Sequence, residues 1–148
     1  MNVTRRNFLA GAGIAATAVL AGCGSSNGSS DGGSASGEKT YKIGVVQLTE
    51  HAALDASNEG FVEAVNASGL NVSIDQQNAQ NDQSACQTIA SKFVGDGVDL
   101  IFAIATPAAQ AAAGATSDIP IVGTAITDFA TSGLVKDNDK PGTNVTGS

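Results

Sequence analysis

A strand-to-helix junction at Thr106 carries the groups best suited to binding a small anion. The apolar run 100–105 before it has no polar alternation, which is typical of a parallel strand buried on both faces. Thr106 is a favoured N-cap and Pro107 suits the first helical position. We therefore predict a helix capped by Thr106, which leaves the amides of Ala108 and Ala109 free. Free amides at a helix N-terminus attract carboxylates and other anions.

Charged and titratable side chains follow two other apolar runs. Asp128 comes after the run 119–123, and His51 and Asp55 come after the first run of the folded part. Ligands of open parallel sheets bind outside the carboxyl ends of the strands, so we expect these residues and Thr106 to share one edge. They also permit acid–base catalysis. Because nothing else completes a catalytic set, a binding site is the favoured interpretation and an exported enzyme is the alternative.

Each candidate also has a purely structural interpretation. His51 can hydrogen-bond the loop that enters the first helix. Asp128 can be the N-cap of a short helical turn over 128–134, and Gln110 can lie at the surface. Cys86 shares one helical face with apolar residues, which predicts a small buried core residue rather than a reactive thiol.

Alternating strand and helix patterns must position these residues. The predicted order is strand 40–48, helix 53–67, strand 70–75, helix 82–94, strand 100–105, helix 108–114, strand 119–123 and an extended segment at 144–147. Gly69 is expected to end the first helix, and the strict alternation that follows predicts a half-exposed edge strand. Such repeats form an α/β fold, a three-layer open parallel sheet with helices on both faces. The predicted strand order is 2-1-3-4.

The first 39 residues are interpreted as an export signal and a tether. Residues 1–22 combine Arg5 and Arg6 with an apolar run shorter than the ~20 residues that span a bilayer. They resemble a twin-arginine signal, with general secretion as the alternative. Leu-Ala-Gly-Cys at 20–23 resembles a bacterial lipobox, which predicts a lipidated Cys23 at the mature N-terminus.

The remaining chain divides into a tether and one folded body. The stretch from Cys23 to residue 39 is rich in Gly and Ser and too polar to fold, so it is expected to be flexible. Residues 40–148 are then expected to form a single substrate-binding lobe. If Cys23 is lipidated, Cys86 has no disulfide partner, and one histidine in 148 residues argues against a His/Cys metal cluster. No cofactor is expected.

The charge balance excludes nucleic acid as a partner. The chain has 7 basic and 14 acidic residues, and two of the basic ones lie in the export signal. Phosphate backbones are bound by clustered Lys and Arg, which the folded body lacks. A phosphoacceptor receiver domain has a similar architecture, but it needs an Asp at the end of the central strand, where this chain has Ala105.

The folded body, from 41 to 147, resembles the first lobe of an ABC-transporter substrate-binding lipoprotein. It is most similar to the branch associated with tryptophan and tyrosine, which has the type I periplasmic-binding-protein fold. The stretches that carry the resemblance are Ile-Gly-Val-Val-Gln at 43–47, Glu-His-Ala-Ala-Leu-Asp at 50–55, Gln-Asn-Ala-Gln-Asn-Asp-Gln at 77–83, Asp-Leu-Ile-Phe-Ala-Ile-Ala-Thr-Pro-Ala-Ala-Gln at 99–110, Ile-Pro-Ile-Val at 119–122 and Asn-Val-Thr-Gly at 144–147.

The resemblance implies a ligand site in the loops after the first, third and fourth strands. Carried onto this sequence, the site residues are His51, Asp55, Thr106, Ala108, Gln110, Thr124, Thr127 and Asp128. The implied ligand is an aromatic amino acid, with its carboxylate at Thr106 and its ammonium near Asp128. The implied partners are an ABC permease with its ATPase subunits, and the extracytoplasmic face of the cell membrane, which the lipid anchor would hold.

The chain departs from the family pattern in two respects. Ala52 and Phe129 stand where the family often has proline, and Phe129 either stacks on an aromatic ligand or packs under its loop. The family also needs a second lobe of similar size. We therefore expect the chain to be a fragment, a truncated product, or one of two chains that together form the site.

Overall fold

The computed structural model describes residues 39–148. The predicted signal, Cys23 and nearly all of the tether lie outside the described residues. The helices and strands are β1 (Tyr41–Gln47), α1 (Ala52–Ala67), β2 (Val72–Asn78), α2 (Gln83–Asp96), β3 (Leu100–Ile104), α3 (Thr106–Ala115), β4 (Ile121–Thr124) and β5 (Val145–Gly147). No helix among residues 39–148 is long and apolar enough to cross a membrane.

All strand pairs are parallel, in the order β2-β1-β3-β4-β5. This confirms the predicted order of the first four strands. The extended segment near the end of the sequence adds a fifth strand, which pairs with β4. Parallel neighbours need crossover connections, and the intervening helices supply most of them.

Strand β2 is the edge strand that the alternation predicted, but its bounds differ from the predicted 70–75. It begins at Val72, opposite Tyr41, and runs through Asn78, opposite Gln47. The polar residues at its end join the sheet because their backbones complete the ladder with β1. Leu70 lies before the strand and is 62% exposed. The bounds of β2 are therefore set by its backbone pairing with β1 rather than by its local apolar pattern.

The helix ends follow local backbone chemistry. Ser68 is the C-cap of α1, and the glycine predicted to end this helix, Gly69, comes next with φ 74°. Gly97 ends α2 with φ 63°. Both positions favour glycine because a side chain disfavours the left-handed region. At the start of α2, Asp82 caps the helix by accepting hydrogen bonds from the Ser84 and Ala85 amides.

The two faces of the sheet are covered unequally. Helices α2 and α3 pack on one face, and α1 packs on the other, which confirms the predicted layers. Cys86 and Phe93 of α2 are fully buried, and Cys86 is therefore the core cysteine that the sequence predicted. Helix α1 has no buried residue. Its Leu54 and Phe61 pack against the core, and the Phe61 ring stacks on Phe102 with centroids 3.9 Å apart.

Candidate ligand site at the carboxyl edge of the sheet

The register of the sheet brings the ends of the central strands together. Gln47 of β1 pairs with Ile104 of β3, and Ile104 pairs with Thr124 of β4. Neighbouring strands lie about 4.8 Å apart, so the loops that follow these three residues start side by side. This carboxyl edge is where open α/β sheets bind their ligands.

The junction between β3 and α3 differs from the prediction in one respect. The Ala105 amide donates to the Thr124 carbonyl at 3.0 Å, and the Ala105 carbonyl accepts from the Ala109 amide at 3.1 Å. Ala105 is therefore the N-cap, and Thr106 is the first helical residue. The prediction that Thr106 caps the helix was wrong because the ladder to β4 holds Ala105 outside the helix.

This junction still presents unpaired backbone donors. The Ala109 amide is not free, contrary to the prediction, because it makes the first hydrogen bond of α3. The amides of Thr106 and Ala108 precede that bond and have no acceptor within the helix. No side chain caps the turn, and Pro107 has no amide hydrogen to satisfy. Two amides of this helix start therefore have no acceptor within the helix, and anion binding there stays a prediction.

Unfavourable backbone conformations concentrate at the same edge. Among residues 39–148, every non-glycine residue with a clearly positive φ follows the carboxyl end of a strand. They are Gln80, Asn81, Ala105 and Ala125. Ala105, with φ 85° and ψ 153°, lies in a region that glycine normally occupies. Such conformations cost of order 1–3 kcal/mol each and cluster at functional sites, so their position supports a site at this edge.

Gln47 organises the loop between β1 and α1, and it was not among the site residues predicted from the sequence. Its side chain is buried, with the residue only 3% exposed. Its Nε2 donates to the Thr49 carbonyl at 2.8 Å and to Asp55 Oδ1 at 2.6 Å. Its Oε1 accepts from Asn58 Nδ2 at 3.1 Å. The available signal was a polar residue at the end of an otherwise apolar strand.

His51 and Asp55 lie at the start of α1. His51 is the N-cap, and its Nδ1 accepts from the Ala53 amide at 3.3 Å, which is the structural role that the sequence left open. The His51 residue is otherwise exposed. Asp55, in the first turn, lines a cavity of about 650 Å³ beside β2. The two side chains therefore flank the edge on the α1 side of β1.

Asp128 lies on the other side of β3, past the end of β4. Its Oδ1 accepts from the Thr131 amide at 2.6 Å, and its Oδ2 accepts from Asn138 Nδ2 at 2.9 Å. Hydrogen bonds from the amide and then the side chain of Thr131, and next from Asn138, hold the pKa of the Asp128 carboxyl below its usual value. The segment after Asp128 forms hydrogen-bonded turns, closed by the Ser132 amide at 3.1 Å from the Asp128 carbonyl.

The remaining predicted residues are distributed around this edge. Thr124 is half-buried at the end of β4, whereas Thr127 is exposed and lines a cavity of about 300 Å³ with Asp128. Ala108 is fully buried, backbone included, so its methyl group cannot contact a ligand and its amide lies beneath the surface of the turn. Gln110 lies one turn into α3, and its Nε2 donates to the Ser132 carbonyl at 2.9 Å. That bond connects α3 to the turns after Asp128.

Phe129 packs under its loop. Its ring lies against Gly123, where an added Cβ would be 3.2 Å from Phe129 Cε1. The side chain is half-buried against the core formed with α2 and α3. The ring also lines the cavity of about 300 Å³ beside Asp128, so its stacking on an aromatic ligand stays a prediction.

The structure thus has an open parallel sheet with amides and carboxylates at its carboxyl edge, which is the architecture of many small-molecule binding proteins. The sequence profile of the family described as "ABC transporter substrate binding protein" matches residues 42–148. The chain belongs to this family. The predicted resemblance and the predicted fold class, the first lobe of the type I periplasmic-binding-protein fold, are both confirmed.

Three relatives show how far the similarity extends. A "Tyrosine-binding protein" from Clostridioides difficile (strain R20291) is 48% identical over 144 residues, which are 93% of this chain and 42% of the relative. The ligand-free, open structure of a substrate-binding protein with adhesive properties from Clostridium difficile is 58% identical with a TM-score of 0.71, over 72% of this chain and 38% of that one. A Streptococcus pneumoniae ABC domain in complex with L-Trp is 44% identical with a TM-score of 0.71, over 74% and 38%.

The chain spans about two fifths of the length of these relatives. Substrate-binding proteins of ABC transporters are extracytoplasmic, which agrees with the export signal predicted for this chain. The relatives are described as binding proteins rather than as enzymes.

Proposed function

We propose that this chain is the first lobe of a lipid-anchored substrate-binding protein that captures an aromatic amino acid for an ABC permease and its ATPase subunits. The observation that carries the proposal is the start of α3, where the amides of Thr106 and Ala108 have no acceptor in the helix. Two carboxylates, Asp55 and Asp128, lie at the strand ends on either side. The arrangement suits a zwitterion, with one negative and one positive group on the same carbon.

The ligand carboxylate is assigned to the helix start. The positive end of the helix dipole and two amides attract it, and the Thr106 hydroxyl can donate a further hydrogen bond. The relatives named for tyrosine and crystallised with L-Trp support an aromatic side chain on the ligand. The proposed site comprises His51, Asp55, Thr106, Ala108, Gln110, Thr124, Thr127 and Asp128, with Gln110 acting through its bond to Ser132.

Replacing Thr106 with valine is expected to weaken L-tryptophan binding about tenfold, because it removes one hydroxyl donor to a charged group and keeps the side-chain shape. One lobe encloses a ligand incompletely, so the unmodified chain is expected to bind at roughly millimolar concentration. The chain has no Trp, so tryptophan fluorescence reports only the ligand. The measurement is a titration of the full chain carrying Cys23→Ala with L-tryptophan. Tryptophan fluorescence and the ¹⁵N–¹H spectrum of the protein both monitor binding.

The spectrum is expected to show saturable shifts at the Thr106 and Ala108 amides. Thr88→Val is the matched control, because Thr88 is exposed on α2 and bonds only within that helix. Saturable binding of a neutral sugar with no binding of any amino acid contradicts the proposal. A binding protein also returns its ligand unchanged, so any product formed from tryptophan during the titration would favour the enzyme alternative.

The membrane anchor is proposed from the lipobox at residues 20–23. Two or three acyl chains on one cysteine hold a protein at a bilayer far better than a single chain does. Mass spectrometry of the membrane-extracted protein is expected to show an acylated peptide that begins at Cys23. An exported protein that retains Met1 contradicts this prediction, and Cys23→Ser should then leave its membrane association unchanged.

A further inference from the structure

Gln47 is the only buried polar side chain among residues 39–148. Burial of an amide is unfavourable unless its donors and acceptor are paired. Here all are paired, since Nε2 donates to the Thr49 carbonyl and Asp55 Oδ1 and Oε1 accepts from Asn58. The side chain therefore holds the β1–α1 loop and the first turns of α1 in one arrangement.

The partners of Gln47 also determine its orientation. The Thr49 carbonyl and an ionised Asp55 carboxylate can only accept hydrogen bonds, so the NH₂ group of Gln47 must face them. Its carbonyl oxygen must then face Asn58. This arrangement uses Asp55 Oδ1 and leaves Asp55 Oδ2 without a hydrogen bond among the described residues.

Asp128 offers a contrasting carboxylate at the same edge. Each of its oxygens already accepts a hydrogen bond from its own segment, from Thr131 and from Asn138. An ammonium group has three donors and binds best where a carboxylate oxygen is free. Of these two carboxylates, Asp55 is therefore the better partner for a ligand ammonium.

The register gives Asp55 a suitable position relative to the helix start. Gln47, which holds Asp55, pairs with Ile104, two residues before Thr106. The loop that Gln47 organises and the start of α3 therefore follow adjacent strand ends, which are about 4.8 Å apart. An α-amino acid carries its two charged groups on one carbon and can meet both.

We infer that Gln47 is a positioning residue that turns Asp55 so that its free oxygen receives the ammonium group of the ligand. This inference rests on the proposed function, because it assigns the second charged group of the same ligand. The ligand ammonium is thereby assigned to Asp55, whereas the sequence predicted it near Asp128.

The test compares L-tryptophan with indole-3-propionate, which has the same ring and carboxylate but no ammonium. Asp55→Asn retains an oxygen for Gln47 and removes the charge, so tryptophan binding is expected to weaken about tenfold while indole-3-propionate binding stays the same. Asp118→Asn is the charge-matched control, because Asp118 is exposed in the connection between α3 and β4, at the opposite end of the sheet. It should leave the preference for tryptophan unchanged.

Two measurements test the role of Gln47 directly. Gln47→Met keeps the side-chain length and removes the hydrogen bonds, and it is expected to reduce the preference for tryptophan over indole-3-propionate. In the unmodified chain, the side-chain NH₂ signals of Gln47 should shift with tryptophan and not with indole-3-propionate. That measurement requires no substitution, so it still tests the inference if the Gln47→Met variant fails to fold.

The outcomes separate the inference from the proposed function. If the unmodified chain binds neither compound, the proposed function fails. If both compounds bind and Asp55→Asn leaves the preference unchanged, the inference is overturned and the function stands. It is also overturned if Asp128→Asn is the substitution that removes the preference, or if the Gln47 signals respond equally to both compounds.

Discussion

Replacing Phe102 with alanine is expected to lower the free energy of unfolding by about 3–5 kcal/mol, the usual cost of a cavity left by a core phenylalanine. Phe102 lies in the middle of β3, the central strand, and is 5% exposed. Its ring stacks on Phe61 of α1, which has no fully buried residue of its own. The substitution therefore also removes the stacked aromatic contact between α1 and the sheet.

Urea unfolding measures this loss through the midpoint of the transition. Tyr41→Ala is the control, because it removes an aromatic ring that is 39% exposed on the same sheet. It should cost clearly less than the core substitution. A loss below about 1 kcal/mol for Phe102→Ala would mean that this strand does not form the centre of the core.

Replacing Gly44 with alanine is expected to cost about 1–3 kcal/mol, the usual price of overpacking a core. An added Cβ would lie 2.6 Å from Phe93 Cγ and Cδ2, which is too close for any side chain. Phe93 is fully buried and holds α2 against β1, so its ring cannot move away freely. The alanine must displace either the ring or the strand.

A double-mutant cycle tests this cause directly. In a Phe93→Ala background the added methyl group no longer meets a ring. Gly44→Ala should then be neutral or stabilising, because glycine inside a strand lowers the free energy of unfolding by roughly 0.5–1 kcal/mol relative to alanine. Gly60→Ala is the control, since nothing lies within 4 Å of an added Cβ in the middle of α1. Equal costs of Gly44→Ala in both backgrounds would show that Phe93 is not the obstacle.

The sequence predicted the architecture because its signals are local. The continuous apolar run of β3 marks a strand buried on both faces, and Gly69 and Gly97 follow the helices they help to end. Repeated strand–helix units then restrict the topology to a few parallel arrangements. The order of the first four strands, the layers and the buried Cys86 followed from these patterns.

The tertiary structure decided how individual site residues are used. Ala105 replaced Thr106 as the N-cap because its amide bonds to Thr124 on the neighbouring strand. Asp128 is engaged by Asn138, ten residues further along the chain. Local patterns contain no information about such partners, because they depend on which backbone and side-chain groups meet after the sheet forms.

Gln47 shows the same distinction most clearly. As a sequence feature it is one polar residue at the end of an apolar strand. Its importance arises from α1, which brings Asp55 and Asn58 within hydrogen-bonding distance of its buried amide. The sequence alone therefore determined which strand ends meet at one edge, because apolar patterning sets which segments are strands. Only the tertiary structure decided which carboxylate oxygen remains free there, because hydrogen-bond partners are set by packing between elements.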